Sequence, residues 1–363
     1  MIIFGIESSC DDTSAAVLSV SYENGKTSYE LLSNIVSTQL IHTEFGGVVP
    51  EIASRCHAEA ISTVAQTALS EASVTYSDID AVAVTFAPGL IGSLLVGVSF
   101  AKALALSLGV PLIPVNHIEA HAAASYIEHP ELPPSFLALI VSGGHTSFYN
   151  VDNYDFEEIG GTRDDAAGEA FDKTGRVMGL PYPGGAAMDK LATEGFKRDS
   201  YKNIKFPSPA MTGSELEFSF SGLKTAVINY VHTTAQRLSL PSGNKLPTEL
   251  REDIAAALTD TVIHGISTKL KEAILSTGKK HIVLAGGVAA NSHLRRHLGE
   301  VCESVGARLY TPSLKLCADN GAMVAAAGFH ALRKGITADT SLNAAASDEA
   351  AEDYIKKIKN LQE

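Results

Sequence analysis

The sequence predicts an α/β protein built as two similar lobes with a nucleotide held between them. Three observations predict this. Apolar, β-branched runs alternate with segments of helical period, as in strands joined by crossover helices. The succession strand, polar turn, strand occurs twice, at residues 2–20 and again at 136–151, which reads as a weak internal duplication. Three turns rich in Gly, Ser or Asp, at residues 7–13, 142–146 and 286–291, are placed to offer N–H groups or hydroxyls to phosphate.

Each element has a local reason. Residues 2–6 are apolar and β-branched, Ser8-Ser-Cys-Asp-Asp-Thr13 is a turn full of oxygens, and residues 15–20 are apolar again, so the chain opens on a hairpin. Helical periodicity follows at 52–71, a strand at 81–85, a Pro-Gly turn, a helix at 93–108 and a strand at 112–115. The second round starts with a strand at 136–141, breaks at Ser142-Gly-Gly-His-Thr146 and resumes at 148–151. Later come a strand at 281–284, the turn Ala285-Gly-Gly287 and an amphipathic helix at 291–305, a form that brings backbone N–H groups to an anion. Residues 337–363, rich in Ala, Asp and Glu, are expected to form a short helix and a loose tail with little chemistry.

Composition narrows the class. The 363 residues suffice for two cores, and 45% apolar with 19% charged residues excludes a disordered or collagen-like chain. The net charge of −13 repels polyanions, so nucleic acid would need a local basic patch or a partner. Lys197-Arg-Asp-Ser-Tyr-Lys-Asn-Ile-Lys205 is a candidate backbone-contact strip, with a solvated face as the alternative. Four cysteines, at 10, 56, 302 and 317, form no C-x-x-C pair, which points to reduced thiols and a cytoplasmic setting. The first residues lack a basic leader and reach Glu7 too soon for a signal-peptide core. The charge-free run 86–101 is 16 residues long, short of the roughly 20 that span a bilayer, so it is expected to be a buried helix.

The sharpest chemical signal is Asn116-His-Ile-Glu-Ala-His121. Histidines at i and i+4 lie about 40° apart on a helix and can grip one cation. A pair of hydrogen-bonded or surface histidines is the competing reading. His293 and His297 repeat the spacing, but Arg295 and Arg296 between them disfavour a cation. Glu119 follows His117 by two positions, about 200° round the helix, so no zinc-protease H-E-x-x-H helix is present. Asp319, beside a turn glycine, is a candidate third ligand, with helix capping as its alternative. Asp165, Glu169 and Asp172 have a spacing that shares one helical side and suits ribose hydroxyls, though a solvated acidic face is the default.

Taken together, Gly5-Ile-Glu-Ser-Ser-Cys-Asp-Asp-Thr13, Asn116-His-Ile-Glu-Ala-His121, Val141-Ser-Gly-Gly-His-Thr146, Asp165-Ala-Ala-Gly-Glu-Ala-Phe-Asp-Lys-Thr174, Tyr182-Pro-Gly-Gly185, Phe218-Ser-Phe-Ser-Gly-Leu-Lys-Thr225 and Ala285-Gly-Gly-Val-Ala-Ala-Asn291 closely resemble the TsaD family, over residues 1–330. The family was once called O-sialoglycoprotein endopeptidase. The resemblance implies α/β architecture with two duplicated actin-like, RNase H-like lobes and a nucleotide cleft between them. The expected division is a first lobe at 1–134, a second with helical insertions at 135–336 and an acidic tail at 337–363. It also implies transfer of threonylcarbamoyl from threonylcarbamoyl-AMP to N6 of the adenosine beside the tRNA anticodon, with release of AMP. His117, His121 and Asp319 would hold one iron or zinc ion. The intermediate would contact Ile140, Val141, Ser142, Gly143, Gly144, Asp172, Gly185, Asp189 and Asn291, and Asp11 would stand near the reacting carbonyl. Partners implied are tRNA, a TsaB-like paralogue and a TsaE-like ATPase, with no membrane. Nothing is carried over to the Pro-rich loop at 240–247 or to the tail past 336.

Two rival readings remain on sequence grounds: a small-molecule kinase of the same superfamily and a nucleotide-binding scaffold. Kinases recruit Mg²⁺ through oxygen ligands, so an imidazole-bound transition metal separates them. A protease reading ranks last.

Overall fold

Strand β1 (Ile2–Glu7) pairs antiparallel with β2 (Asp12–Glu23), Ile2 opposite Ser19 and Glu7 opposite Ser14, so the expected hairpin forms around residues 8–11. The structure, a computed structural model, describes residues 1–363 apart from 24, 214–215, 243–244 and 363, with side chains for all of these except 352 and 359–362. Of the loop at 240–247, residues 243–244 therefore lie outside the described residues. Strand β3 (Lys26–Thr38) extends the hairpin antiparallel to β2 as an edge strand. After the single turn α1 (His42–Phe45), helix α2 (Pro50–Glu71) begins with Pro in its first turn, where no N–H is needed, and buries Ile61, Val64, Ala65 and Ala68.

Strand β4 (Ala81–Ala87) lies parallel to β1 and is buried at every position, as a central parallel strand must be. Helix α3 (Ile91–Leu108) is apolar and long enough to cross a membrane by length and composition; Leu94, Val98, Ala101 and Ala105 pack it over α2 and β4. Strand β5 (Leu112–Asn116) completes a sheet of order β3-β2-β1-β4-β5 and leads directly into α4 (His117–Glu128).

The second sheet repeats the plan. Strands β6 (Phe136–Val141), β7 (Thr146–Asp152) and β8 (Asp155–Gly161) form an antiparallel meander. Helices α5 (Ala167–Val177), α6 (Gly185–Gly195), α7 (Ser221–Arg237) and α8 (Thr248–Thr277) follow. Strand β9 (His281–Ala285) then joins parallel to β6, and after α9 (Ser292–Ser304) strand β10 (Arg308–Tyr310) joins parallel to β9. The order β10-β9-β6-β7-β8 matches the first sheet strand for strand, so the faint sequence duplication is a true architectural one.

The chain then returns to the first unit with α10 (Leu314–Cys317), α11 (Gly321–Arg333) and α12 (Asp348–Gln362). The two compact units are Met1–Leu132 with Pro312–Glu363, and Pro133–Thr311. The second compact unit thus ends at 311, where the expected lobe ended at 336; the expected short helix is α12, and the segment before it is packed on the first unit. The reason is packing. Helix α11, rich in Gly and Ala on its buried face, covers β1, β2, β4 and β5. Beyond it, Ala338 N–H donates to Leu112 O at 2.8 Å, Ala345 N–H donates to Phe86 O at 2.9 Å, and the Tyr354 ring lies 5.5 Å from that of Phe86.

Candidate functional site

Helix α4 starts where β5 ends, capped by Asn116, whose side-chain oxygen accepts the N–H of Ile118 at 2.7 Å and of Glu119 at 3.3 Å. The cap fixes His117 at the first helical position and His121 one turn on, both buried, with ring centroids 4.7 Å apart. Asp319 arrives from the segment before α11. That helix is anchored by its first N–H groups, Gly321 to Ser14 Oγ at 2.8 Å and Ala322 to Asn34 Oδ1 at 3.3 Å. Asp319 Oδ1 stands 3.2 Å from His121 Nε2 and 3.6 Å from His117 Nε2.

One ligand atom from each of the three lies within 4.8 Å of the others, a group able to hold a metal ion among the described residues. Donors about 2.0–2.1 Å from a tetrahedral ion stand about 3.4 Å apart, which these separations bracket. The 3.2 Å approach lacks hydrogen-bond geometry, and among the described residues neither ring nitrogen of buried His121 has a hydrogen-bond partner. A buried imidazole left this way is costly unless something else satisfies it, and a cation does so. The residues fit a metal ion.

Glu7, wholly buried at the end of β1, stands behind His117: its Oε2 is 3.2 Å from His117 Nδ1 and accepts the Thr85 hydroxyl at 2.6 Å, while Oε1 accepts the Ser9 N–H at 2.5 Å. Burial opposes charge on both groups. Their mutual attraction, with Asp319 for the histidine, outweighs it, holding the Glu7 carboxyl low and raising His117 to about 9. A positive charge between Glu7 and Asp319 is thus favoured, carried either by a proton on Nε2 or by a cation in its place.

The turn 8–11 places Asp11 in the same unit. Burial first, and then Asp319, push the Asp11 carboxyl above its ordinary range, while the Cys10 thiol and His42 pull it down. Burial drives Asp12 up to about 7. Buried His57 on α2 grips the turn from behind: Thr13 Oγ1 lies 2.7 Å from its Nδ1 and Cys10 O lies 2.9 Å from its Nε2.

The remaining expected residues gather in the second unit. Ser142 N–H donates to His145 O at 2.8 Å, closing a tight turn after β6. Gly168 on α5 lies against that turn, and Gly286 lies against Val141 with a left-handed φ of +94°, which together draw the ends of β6 and β9 and the start of α5 into one region. Asp172 Oδ1 accepts Gly184 N–H at 2.7 Å, and Asp189 carboxylate oxygens receive the Ser292 N–H at 3.4 Å and hydroxyl at 3.2 Å. Asn291 caps α9 through Leu294 N–H at 2.9 Å. Gly143, Gly144, Gly185 and Gly287 have nothing within 4 Å of where a Cβ would stand, whereas Gly168 and Gly286 are tightly packed. The open glycines leave a surface that backbone can present to a ligand.

Several sequence readings change. Asp165 precedes α5, so it does not share one helical side with Glu169 and Asp172; it pairs with Lys224, and Glu169 pairs with Lys173. The strip 197–205 is largely neutralised, with Lys197 on Glu194, Arg198 on Glu252 and Asp253, and Lys202 on Asp199. The second histidine pair diverges, His293 to Thr193 at 2.9 Å and His297 toward the His264 ring. A cavity of about 460 Å³ beside Arg295 and Arg308 contains none of the expected residues. Sequence reasoning assigns Glu7 to a phosphate turn and misses its contact with His117; the signal available was a carboxylate ending an apolar strand, where burial demands a partner.

Fold and site define a class: a duplicated five-stranded α/β protein of the actin-like kind with a histidine–carboxylate group in its first unit. The fold is shared by full-length HypF (TM-score 0.56, 14% identity, 96% of this chain and 47% of that one) and T. kodakarensis HypF (0.58, 15%, 94% and 49%). The family model of TsaD, tRNA N6-adenosine threonylcarbamoyltransferase, matches residues 30–326. Proteins of that name from Clostridioides difficile (48% identical, 95% of this chain and 97% of the relative) and Thermodesulfovibrio yellowstonii (49%, 95% and 99%) match nearly end to end. This chain belongs to the TsaD family.

Proposed function

We propose that the chain transfers the threonylcarbamoyl group of threonylcarbamoyl-AMP to N6 of the adenosine next to a tRNA anticodon. The adenine amine attacks the carbamoyl carbon, a C–N bond forms, the bond to phosphate oxygen breaks, AMP leaves and the amine loses a proton. An exocyclic amine is a poor nucleophile and the mixed anhydride arrives activated, so alignment carries the catalysis, for which positioning is worth roughly 7–11 kcal/mol.

The observation that carries this reading is the convergence of His117, His121 and Asp319 in a chain of this family. These three are assigned to one iron or zinc ion, which when bound supplies a Lewis acid for the phosphate side of the intermediate. Imidazole ligation favours this over the kinase reading. Asp11 orients the amine or takes its proton; the raised carboxyl brings it nearer to the pH at which a base works best. In the second unit, backbone from Ile140 to Gly144 and at Gly185 cradles the adenylate, with Asp172, Asp189 and Asn291 as polar contacts. Open space over Gly143, Gly144 and Gly185 supports that assignment.

The acidic surface and the neutralised strip at 197–205 favour help in holding tRNA, and a TsaB-like paralogue and a TsaE-like ATPase are the proposed partners. A tRNA substrate and four cysteines without a C-x-x-C pair among them fit work in the cytoplasm. The test supplies synthase-made intermediate, tRNA and both partners and looks for the modified nucleoside by mass spectrometry. The modification should appear with this chain and be absent without it; its absence in the complete mixture would refute the reading.

A further inference from the structure

Among the described residues, each group in hydrogen-bond contact with the Glu7 carboxylate is a donor or can be one. Oε1 accepts the Ser9 N–H, Oε2 accepts the Thr85 hydroxyl, and Oε2 also faces His117 Nδ1 at 3.2 Å. The Ser9 hydroxyl lies 3.2 Å from the same Nδ1 and is the other group beside it. A carboxylate is acceptor-only and satisfies all three; an amide would set an N–H against a donor on one side or the other. With Nδ1 protonated toward Glu7, the lone pair of His117 is on Nε2, the nitrogen that faces Asp319. His121, the other imidazole of the group, has no such hydrogen-bond partner among the described residues.

We propose that Glu7 is a positioning residue of the metal centre: it fixes His117 as the Nδ1–H tautomer, locks the ring's orientation and strengthens Nε2 as a ligand. This rests on the metal-binding reading above. Sequence separation hides the pair, since Glu7 ends β1 and His117 begins α4, 110 residues later. Carboxylates in this outer position around a ligating histidine typically change metal affinity by about 10–100-fold.

The test is zinc affinity of the full-length protein, stripped by chelation and titrated against a chromophoric chelator. Glu7→Gln should weaken zinc binding about 10–100-fold. Thr85→Val removes a donor to the same carboxylate without touching His117, and its effect should be several-fold smaller. Circular dichroism of the stripped proteins checks that both variants fold. A second measurement needs no variant of Glu7: in the zinc-loaded protein labelled with ¹⁵N-histidine, the His117 resonances, assigned by their loss in His117→Gln, should show Nδ1 protonated and Nε2 metal-bound. Equal zinc affinity in Glu7→Gln, or an effect of Thr85→Val as large as that of Glu7→Gln, or a proton on His117 Nε2, overturns the proposal. If the unaltered protein binds no zinc, the metal reading falls with it; if it binds zinc and Glu7→Gln binds as tightly, only the role of Glu7 falls.

Discussion

Gly5 in β1 and Gly321 at the start of α11 are packed backbone to backbone: a Cβ on Gly5 would stand 2.1 Å from the Gly321 carbonyl oxygen, and one on Gly321 would stand 2.6 Å from Ala16 N. No side chain separates helix from sheet here. Because Asp319 lies two residues before Gly321, this contact sets where the carboxylate meets the histidines of α4.

Gly5→Ala should therefore damage both fold and site. The methyl group meets backbone that cannot swing aside, so urea denaturation should show a loss at or above the usual overpacking range of about 1–3 kcal/mol. Metal content should fall with it. Unchanged stability and full metal loading would contradict the packing argument.

Asp11→Asn separates chemistry from assembly. The substitution keeps size and polarity but removes the proton acceptor, so transfer should drop by about 10²–10⁴-fold, the range of general-base contributions. Elemental analysis should find the same metal content as in the unaltered protein. Full transfer by the folded variant would end this assignment of Asp11.

His57 reaches the same turn from α2. Replacing it by Phe fills the space but strands the Thr13 hydroxyl and the Cys10 carbonyl, at a cost of about 1–3 kcal/mol for buried polar groups left unpaired. Transfer should weaken because Asp11 follows Cys10 in the loosened turn, while zinc affinity stays near its original value. Loss of zinc binding equal to that of a His117 variant would mean that His57 supports the whole site instead.

His330 gives a pH signature. Burial, with Arg333 and Lys334 nearby, lowers its pKa from 6.5 to about 3. Between those values the unfolded chain binds a proton that the folded chain refuses, so stability is full above about pH 6.5 and falls as pH falls, by at most about 1.4 kcal/mol per pH unit. His330→Gln keeps an acceptor for the Tyr29 hydroxyl, which lies 2.9 Å from Nε2, and removes the titration. Denaturation curves at pH 7 and 5 should show a smaller acid loss in the variant; identical losses would contradict this account.

What the sequence discloses is local. The β1–β2 hairpin, the buried central strands and the paired histidines of α4 follow from periodicity and spacing, and the family motifs extend them to Asp319. Strand β3 escaped because its edge position leaves it largely polar and half-exposed, with almost no fully buried position to mark a core face. The return of 312–336 to the first unit escaped because the apolar pattern of α11 does not say which sheet it covers; the close contacts of Gly5 with Gly321 and of Gly328 with Ala83, and the bonds to Ser14 and Asn34, are all long-range. The ion pairs of Arg198 with Glu252 and Asp253 cross more than fifty residues, so the strip looked basic when read alone. Glu7 beside His117 has the same origin.

The most direct test of the central claim is the metal content per chain of the purified, metal-reconstituted protein, measured by X-ray fluorescence. The account predicts one tightly held iron or zinc ion per chain, lost when His117 and His121 are both replaced by alanine in a protein that still folds. Undiminished metal in that double variant, or no bound metal in the unaltered chain, would contradict it.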